Sequence, residues 1–271
     1  MLEKINQIIE QMHQAGFICD WRTATVLYLA EEMQKPILVE GPAGVGKTAV
    51  AQSFSRARGL KLIRLQCYEG IDETRALYEW NYKKQLLHIQ AATRQSVSPE
   101  ELEKEIFSEE YLLVRPLLQA LSSPEKIVLL IDEIDKVDFE FEAMLLELLA
   151  EFQVTLPEIG TIKAQAVPFV FLTSNATREL SEALKRRCLY LHLAFPDSEL
   201  EKQILSLQVP GLEENLRLKV VRAVQQMRRL DLKKPPSIAE SIDWARALFW
   251  LARDDLDLNT FRETAGVILK Y

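Results

Sequence analysis

The stretch Gly41-Pro42-Ala43-Gly44-Val45-Gly46-Lys47-Thr48 fits the spacing G-x-x-x-x-G-K-[ST], whose chemistry is the binding of a polyphosphate. Glycines let the backbone wrap an anion so closely that successive N–H groups and a helix N-terminus point at it. Lys47 adds a mobile positive charge, and Thr48 a hydroxyl for Mg2+. The stretch sits where this chemistry needs it, between the apolar run Ile37-Leu38-Val39 and a helix-like segment from Thr48 to Arg58. A bound nucleoside triphosphate is therefore expected, with residues 41 to 48 as its cradle.

Further along, Ile127-Val128-Leu129-Leu130-Ile131 reads as a buried strand that runs into two adjacent carboxylates, Asp132 and Glu133. Adjacent side chains can take different tasks. Asp132 is expected to hold Mg2+, directly or through water, and Glu133 to polarise the water that attacks the γ-phosphate. Another apolar run, Phe169-Val170-Phe171-Leu172-Thr173-Ser174, ends at Asn175, a neutral amide suited to holding that water or a γ-phosphate oxygen. Finally, Ala183-Leu184-Lys185-Arg186-Arg187-Cys188 places two guanidinium groups where they could face a triphosphate held by an adjacent subunit.

These groups need elements to position them. Strand-length apolar runs at Ile37–Val39, Leu62–Leu65, Ile127–Ile131, Phe169–Leu172 and Leu189–Leu193 alternate with segments of helical periodicity, among them residues 2–14 and Thr23–Met33. Such alternation implies a parallel sheet covered on both faces, with ligands at the carboxyl ends of its strands. Two segments exceed simple connections. About sixty residues separate Cys67 from Ile127, and Thr74–Glu105 within them is helix-compatible, broken at Ser98-Pro99. The other, Val154–Lys163, reads as two short strands with a turn at Pro157–Gly160. Beyond Pro196 only helices are expected, at 198–208, 213–229, 237–253 and 259–270.

The composition narrows the function. The formal net charge is −7 over 271 residues, and residues 197–271 carry 12 basic and 12 acidic side chains, so the excess lies in residues 1–196. An acidic catalytic domain is a poor match for a phosphate backbone, and no nucleic-acid partner is expected. Cys19, Cys67 and Cys188 lack metal or redox spacing, as do His13, His88 and His192, which points to reduced thiols. No apolar run approaches the roughly 18 residues of a membrane span, and Met1–Ile5 lacks the design of an export signal. A cytoplasmic location is expected.

Taken together, these motifs resemble the AAA+ ATPases over essentially the whole chain. GPAGVGKT is similar to Walker A, IVLLIDE to Walker B and TSN to sensor 1, and one of Arg186 and Arg187, with Arg187 preferred, is similar to the arginine finger. The insertion, the hairpin and the placement of the lid resemble the MoxR branch. The wording LQCYEGID, LLIDEIDK and LKRRCLYLHL resembles its CoxD-like subgroup, associated with maturation of molybdenum-containing hydroxylases. The resemblance implies an AAA+ P-loop core with a five-stranded parallel sheet over residues 1–196, carrying a helical insertion at about 68–112 and a pre-sensor 1 hairpin at about 153–166. A helical lid would follow over 197–271. It further implies ATP and Mg2+, a homohexamer, a partner with a von Willebrand factor A domain, and a metalloenzyme client such as carbon monoxide dehydrogenase. One departure stands out: Lys234–Glu240, where a sensor 2 arginine would fall, contains none, and Arg246 is the available substitute. A DNA-acting AAA+ ATPase, clamp-loader-like or restriction-type, and a small-molecule P-loop kinase are the alternative readings. GTP is an alternative nucleotide.

Overall fold

Alternating apolar runs and amphipathic segments fold as the sequence suggests, into α1 (Leu2–Gln14), α2 (Trp21–Met33), β1 (Ile37–Glu40), α3 (Lys47–Arg58) and β2 (Leu62–Gln66). The insertion follows as α4 (Glu73–Ala76), β3 (Tyr78–Trp80), α5 (Tyr82–Ala92), α6 (Pro99–Ile106), β4 (Leu112–Val114) and α7 (Pro116–Leu121). Next come β5 (Val128–Asp132), α8 (Phe139–Glu151), β6 (Gln153–Leu156), β7 (Gly160–Lys163), β8 (Phe169–Ser174), α9 (Glu182–Arg187) and β9 (Leu189–His192). Four helices close the chain: α10 (Ser198–Gln208), α11 (Glu214–Met227), α12 (Ile238–Trp250) and α13 (Leu258–Ile268). This computed structural model describes residues 1–92, 98–157 and 159–269. Residues 93–97 of the expected helical stretch, Glu158 of the expected turn and residue 270 of the last expected helix lie outside the described residues.

The main sheet is five-stranded and parallel, in the order β2-β5-β8-β1-β9. Parallel neighbours such as β2 and β5, or β5 and β8, are joined by long crossovers rather than by tight turns, as parallel pairing requires. Every residue of β5 and β8 is buried, which explains why both read as continuous apolar runs rather than alternating ones. In register, Gln66 of β2 lies opposite Asp132 of β5.

The chain divides into two units, the first holding residues 1–28, 39–59 and everything from Tyr190 onward, the second Leu29–Leu38 and Leu60–Leu189. In the second unit one core joins Ile63, Leu65, Leu129, Ile131, Val170 and Leu172 of the sheet to Leu117, Leu145 and Leu148 of the helices. The first unit has a core of its own, in which Trp244, fully buried, packs with Val220, Val224 and Leu248. Its indole N–H donates to Thr264 Oγ1 at 2.8 Å, so the one polar atom of that ring is satisfied.

One element differs from expectation. Tyr78–Trp80, inside the stretch expected to be helical, is a strand paired antiparallel with Leu112–Val114. Two aromatics in three residues favour the extended state, and Trp80 is buried with its ring edge-on to Phe107, centroids 5.3 Å apart. The hairpin matches its reading: β6 and β7 are antiparallel, with Thr155 opposite Thr161 and their hydroxyls 3.0 Å apart. The three cysteines are unpaired, with Cys19 and Cys67 buried. Among the described residues no helix is long and apolar enough to cross a membrane.

Candidate functional site

The loop from Gly41 to Gly46 joins buried β1 to α3, and its glycines are forced by geometry. A Cβ on Gly41, at φ +154°, would lie 2.0 Å from the Leu193 carbonyl oxygen, and one on Gly44, at φ +75°, 2.5 Å from Ser237 Oγ. Gly46 caps α3 in the left-handed region at φ 101°, which an L side chain rarely adopts. Lys47 is 7% exposed, and its ammonium donates to Gly41 O at 2.8 Å and Pro42 O at 2.7 Å. The charge is therefore bent back over the loop, at the N-terminus of a 12-residue helix. Thr48 follows it on the first turn of α3.

Beside this loop, within the same unit, opens a cavity of about 470 Å3. Phe17, Ile18, Val45, Phe195, Ile204 and Ile242 give it largely apolar walls. Its size suits a nucleobase and sugar. Asp20, at its rim, accepts a hydrogen bond from Thr23 N at 2.8 Å and so caps α2. Apart from Val45, motif reading missed these residues, because apolar walls carry no fixed spacing.

The second unit holds the carboxylates. Asp132, 2% exposed at the end of β5, accepts from Thr173 Oγ1 on β8 and from Arg64 Nη2 on β2, each at 2.5 Å. Thr173 Oγ1 in turn accepts from the Glu133 N–H at 2.9 Å, so one hydroxyl joins the two acidic residues. Glu133 is left-handed, at φ 61° and ψ 48°, an uncommon state for a residue with a side chain. Its Oε2 lies 3.0 Å from Gln66 Nε2 and 2.5 Å from Lys136 Nζ. The bond to Glu133 raises the Lys136 pKa above the ordinary 10.5. Arg64, Gln66 and Lys136 were absent from the sequence reading. Two long polar side chains at alternate positions of an otherwise apolar β2 were the available signal.

Asn175 directly follows β8, on a turn where Ala176 takes φ 56°. Asp135, 3% exposed, fastens that turn by accepting from Thr177 N at 3.1 Å and Thr177 Oγ1 at 2.5 Å. Burial, the largest influence, pushes the Asp135 pKa up, yet the bonds from Thr177 and the Asn175 backbone hold it below the ordinary 3.8. The structure thus joins Asp132 and Glu133 through Thr173 into one hydrogen-bonded group, and Asp135 separately fastens the Asn175 turn.

Arg186 and Arg187 stand apart from that group, at the C-terminal end of α9. Ser181 caps this helix, and Glu142, 1% exposed, accepts from Ser181 N at 3.0 Å and pairs with Arg178. Lys185 is engaged with Glu179 at 3.1 Å and Glu182 at 3.4 Å. Arg186 and Arg187 are exposed, and neither forms a hydrogen bond or ion pair with a described residue. Arg246 lies on α12, 3.9 Å from Asp243. Ser237 and Ala239, at the start of α12, lie against the phosphate-binding loop, Ala239 N donating to Gly44 O at 3.4 Å.

Residues 36–188, which hold the loop, both acidic residues, Asn175 and both arginines, match the AAA domain, dynein-related subfamily. The chain belongs to this family. AAA domains are nucleotide-binding ATPase modules, and the P-loop and adjoining cavity fit that description. An uncharacterized protein of Staphylococcus epidermidis (strain ATCC 12228 / FDA PCI 1200) is 26% identical over 227 residues, 82% of this chain and 78% of its own. Among solved structures, two mutants of Thermotoga maritima RuvB have TM-scores of 0.53 at 16% identity, covering 98% and 97% of this chain and 69% and 70% of theirs. The Thermotoga maritima RuvB Holliday junction branch migration motor has a TM-score of 0.50 at 16% identity, over 90% of this chain and 66% of its own. At that identity the likeness is one of AAA+ fold.

Proposed function

We propose that this AAA-family chain is a MoxR-type ATPase that hydrolyses ATP within a ring of six copies and uses the cycle to remodel a client protein in the cytoplasm. One observation carries the reading: Arg186 and Arg187 are exposed and form no hydrogen bond or ion pair among the described residues, while Lys185 beside them is paired twice. An exposed, unneutralised arginine of a P-loop ATPase is suited to a triphosphate held by the next copy.

In this reading residues 41 to 48 cradle the phosphates, and Lys47 exchanges its carbonyl partners for phosphate oxygens. The apolar cavity takes the base, and the lack of a guanine-reading N-K-x-D sequence favours ATP over GTP. Among the described residues no group of three His, Cys, Asp or Glu side chains could hold a metal. Mg2+ fits as an ion that keeps water and phosphate ligands, with Thr48 and Asp132 as the protein's share. When bound, it supplies positive charge at the transferring phosphoryl group. Glu133 accepts the proton of the attacking water once its carboxylate leaves Lys136 and Gln66. Asn175 holds that water in line, and Arg187, with Arg186 as neighbour, faces the charge that develops on the neighbouring copy's nucleotide. Residues 197–271 act as the lid.

The client is proposed to be a molybdenum-containing hydroxylase such as carbon monoxide dehydrogenase, reached together with a von Willebrand factor A partner. A pull-down with the Glu133→Gln protein held on ATP tests this. Recovery of such a pair supports it, and recovery of DNA-processing proteins contradicts it. Salt-sensitive retention of DNA on a filter would favour the DNA-acting alternative, which the −7 charge opposes. ATP turnover that appears only with an added small-molecule acceptor would favour a kinase.

A further inference from the structure

Among the described residues, the helices after Pro196 meet the P-loop through no arginine. Ser237 and Glu240 form a reciprocal cap at the start of α12, Ser237 N donating to Glu240 Oε2 at 2.8 Å and Glu240 N to Ser237 Oγ at 3.3 Å. That cap is pressed against Gly44 so closely that no side chain fits there. The residue just before it, Pro236, offers its carbonyl to Arg228 Nε at 2.8 Å.

Arg228 is the centre of a buried polar node. Its side chain is 8% exposed and forks onto Glu201, which is fully buried, with Nη1 to Oε2 and Nη2 to Oε1 both at 2.8 Å. Ser241 Oγ donates to Glu201 Oε1 at 2.9 Å, and Gln225 Nε2 to Glu201 Oε2 at 2.6 Å. Gln225 also donates to Pro196 O at 3.0 Å, and the Arg228 guanidinium carbon lies 5.0 Å from the centre of the Phe195 ring. Phe195 and Pro196 line the cavity beside the P-loop, as do Ile238 and Ile242 of α12. One node therefore reaches both the wall of that cavity and the segment that abuts Gly44.

A buried ion pair is a poor way to gain stability, since apolar residues of like volume often do as well. Its strength is geometry: a planar guanidinium that satisfies a carboxylate with two bonds and a carbonyl with a third allows one arrangement only. We propose that Arg228 and Glu201 are the positioning pair that makes base pocket and phosphate loop answer to a single lid position. Filling either end then seats the same helices. This rests on the reading that the P-loop and cavity bind ATP.

Full-length protein carrying Arg228→Met with Glu201→Leu removes the pair while leaving Gln225 its bond to Pro196 O and letting the Ser241 hydroxyl donate to Ser237 O, 3.0 Å away. Fluorescent analogues of ATP and ADP would report affinity, and amide exchange would report nucleotide-dependent protection of residues 238–250. The double variant is expected to melt near the wild type without nucleotide, to bind the ATP analogue about tenfold more weakly, and to lose the ATP-dependent protection of α12. Arg228→Lys, which keeps the charge but not the fork, serves where the double variant does not fold, and should lose the same protection. Wild-type affinity with wild-type protection in either folded variant overturns the proposal. A wild-type chain that binds neither analogue, or binds both equally well with Lys47→Ala, overturns the ATP reading instead and takes this inference with it.

Discussion

Glu133 and Asp132 sit side by side in the chain but in different chemical states. Asp132 is buried under a hydroxyl and a guanidinium, whereas the carboxylate of Glu133 is gripped by flexible groups that can release it. Glu133→Gln should lower kcat by about a hundredfold or more while nucleotide affinity stays within about twofold, the signature of a lost general base. Steady-state turnover beside analogue titration measures both. Asp135 predicts an acid limit. Its folded pKa lies below the ordinary 3.8, so its contribution is fully present above that value and is lost as pH falls through the lower folded one. Melting temperature should drop as pH falls below about 4, and less steeply in Asp135→Asn. At this scale the motif residues were legible, since phosphate and metal chemistry restricts residue type and spacing. Their partners Arg64, Gln66, Thr173 and Lys136 were harder to see, because three of the four act from other strands or turns that only the sheet order brings near.

Elements decide how firmly these groups are held. Gly41 allows β1 to pass under the Leu193 carbonyl, and Gly41→Ala should destabilise the chain by about 2–4 kcal/mol and abolish nucleotide binding, read by denaturant unfolding and titration. Ser237 does two things: it caps α12 and abuts Gly44. Losing the cap in Ser237→Ala should cost about 1 kcal/mol, a fall of about 2–4 °C in melting temperature for a chain of this size. The five strands of the main sheet were legible as apolar runs bounded by polar breaks. So were the four closing helices, where Asp197, Ser237 and Asp257 mark starts by accepting a backbone N–H. Tyr78–Trp80 was not legible as a strand, since three residues are too few for periodicity and the partner strand lies some thirty positions away.

At the scale of the whole molecule, the second unit carries exposed arginines at the end of α9 with no hydrogen bond or ion pair among the described residues. Such charge is costless in water, and in the proposed reading it serves the nucleotide of another copy. Length and composition could suggest a catalytic body and a lid, and the sequence could offer Arg186 and Arg187 as candidates to act on another copy, but not which surfaces of two copies would meet, because surface contacts carry no fixed spacing. The direct test is to mix two inactive proteins, Arg187→Ala and Lys47→Ala. Each alone should turn over ATP about a thousandfold more slowly than the wild type. Mixed, they should recover a measurable fraction of activity, rising with total concentration, because a mixed interface joins an intact P-loop to an intact arginine. No recovery at any ratio, or full wild-type turnover by a species that light scattering shows to be a monomer, would contradict the account.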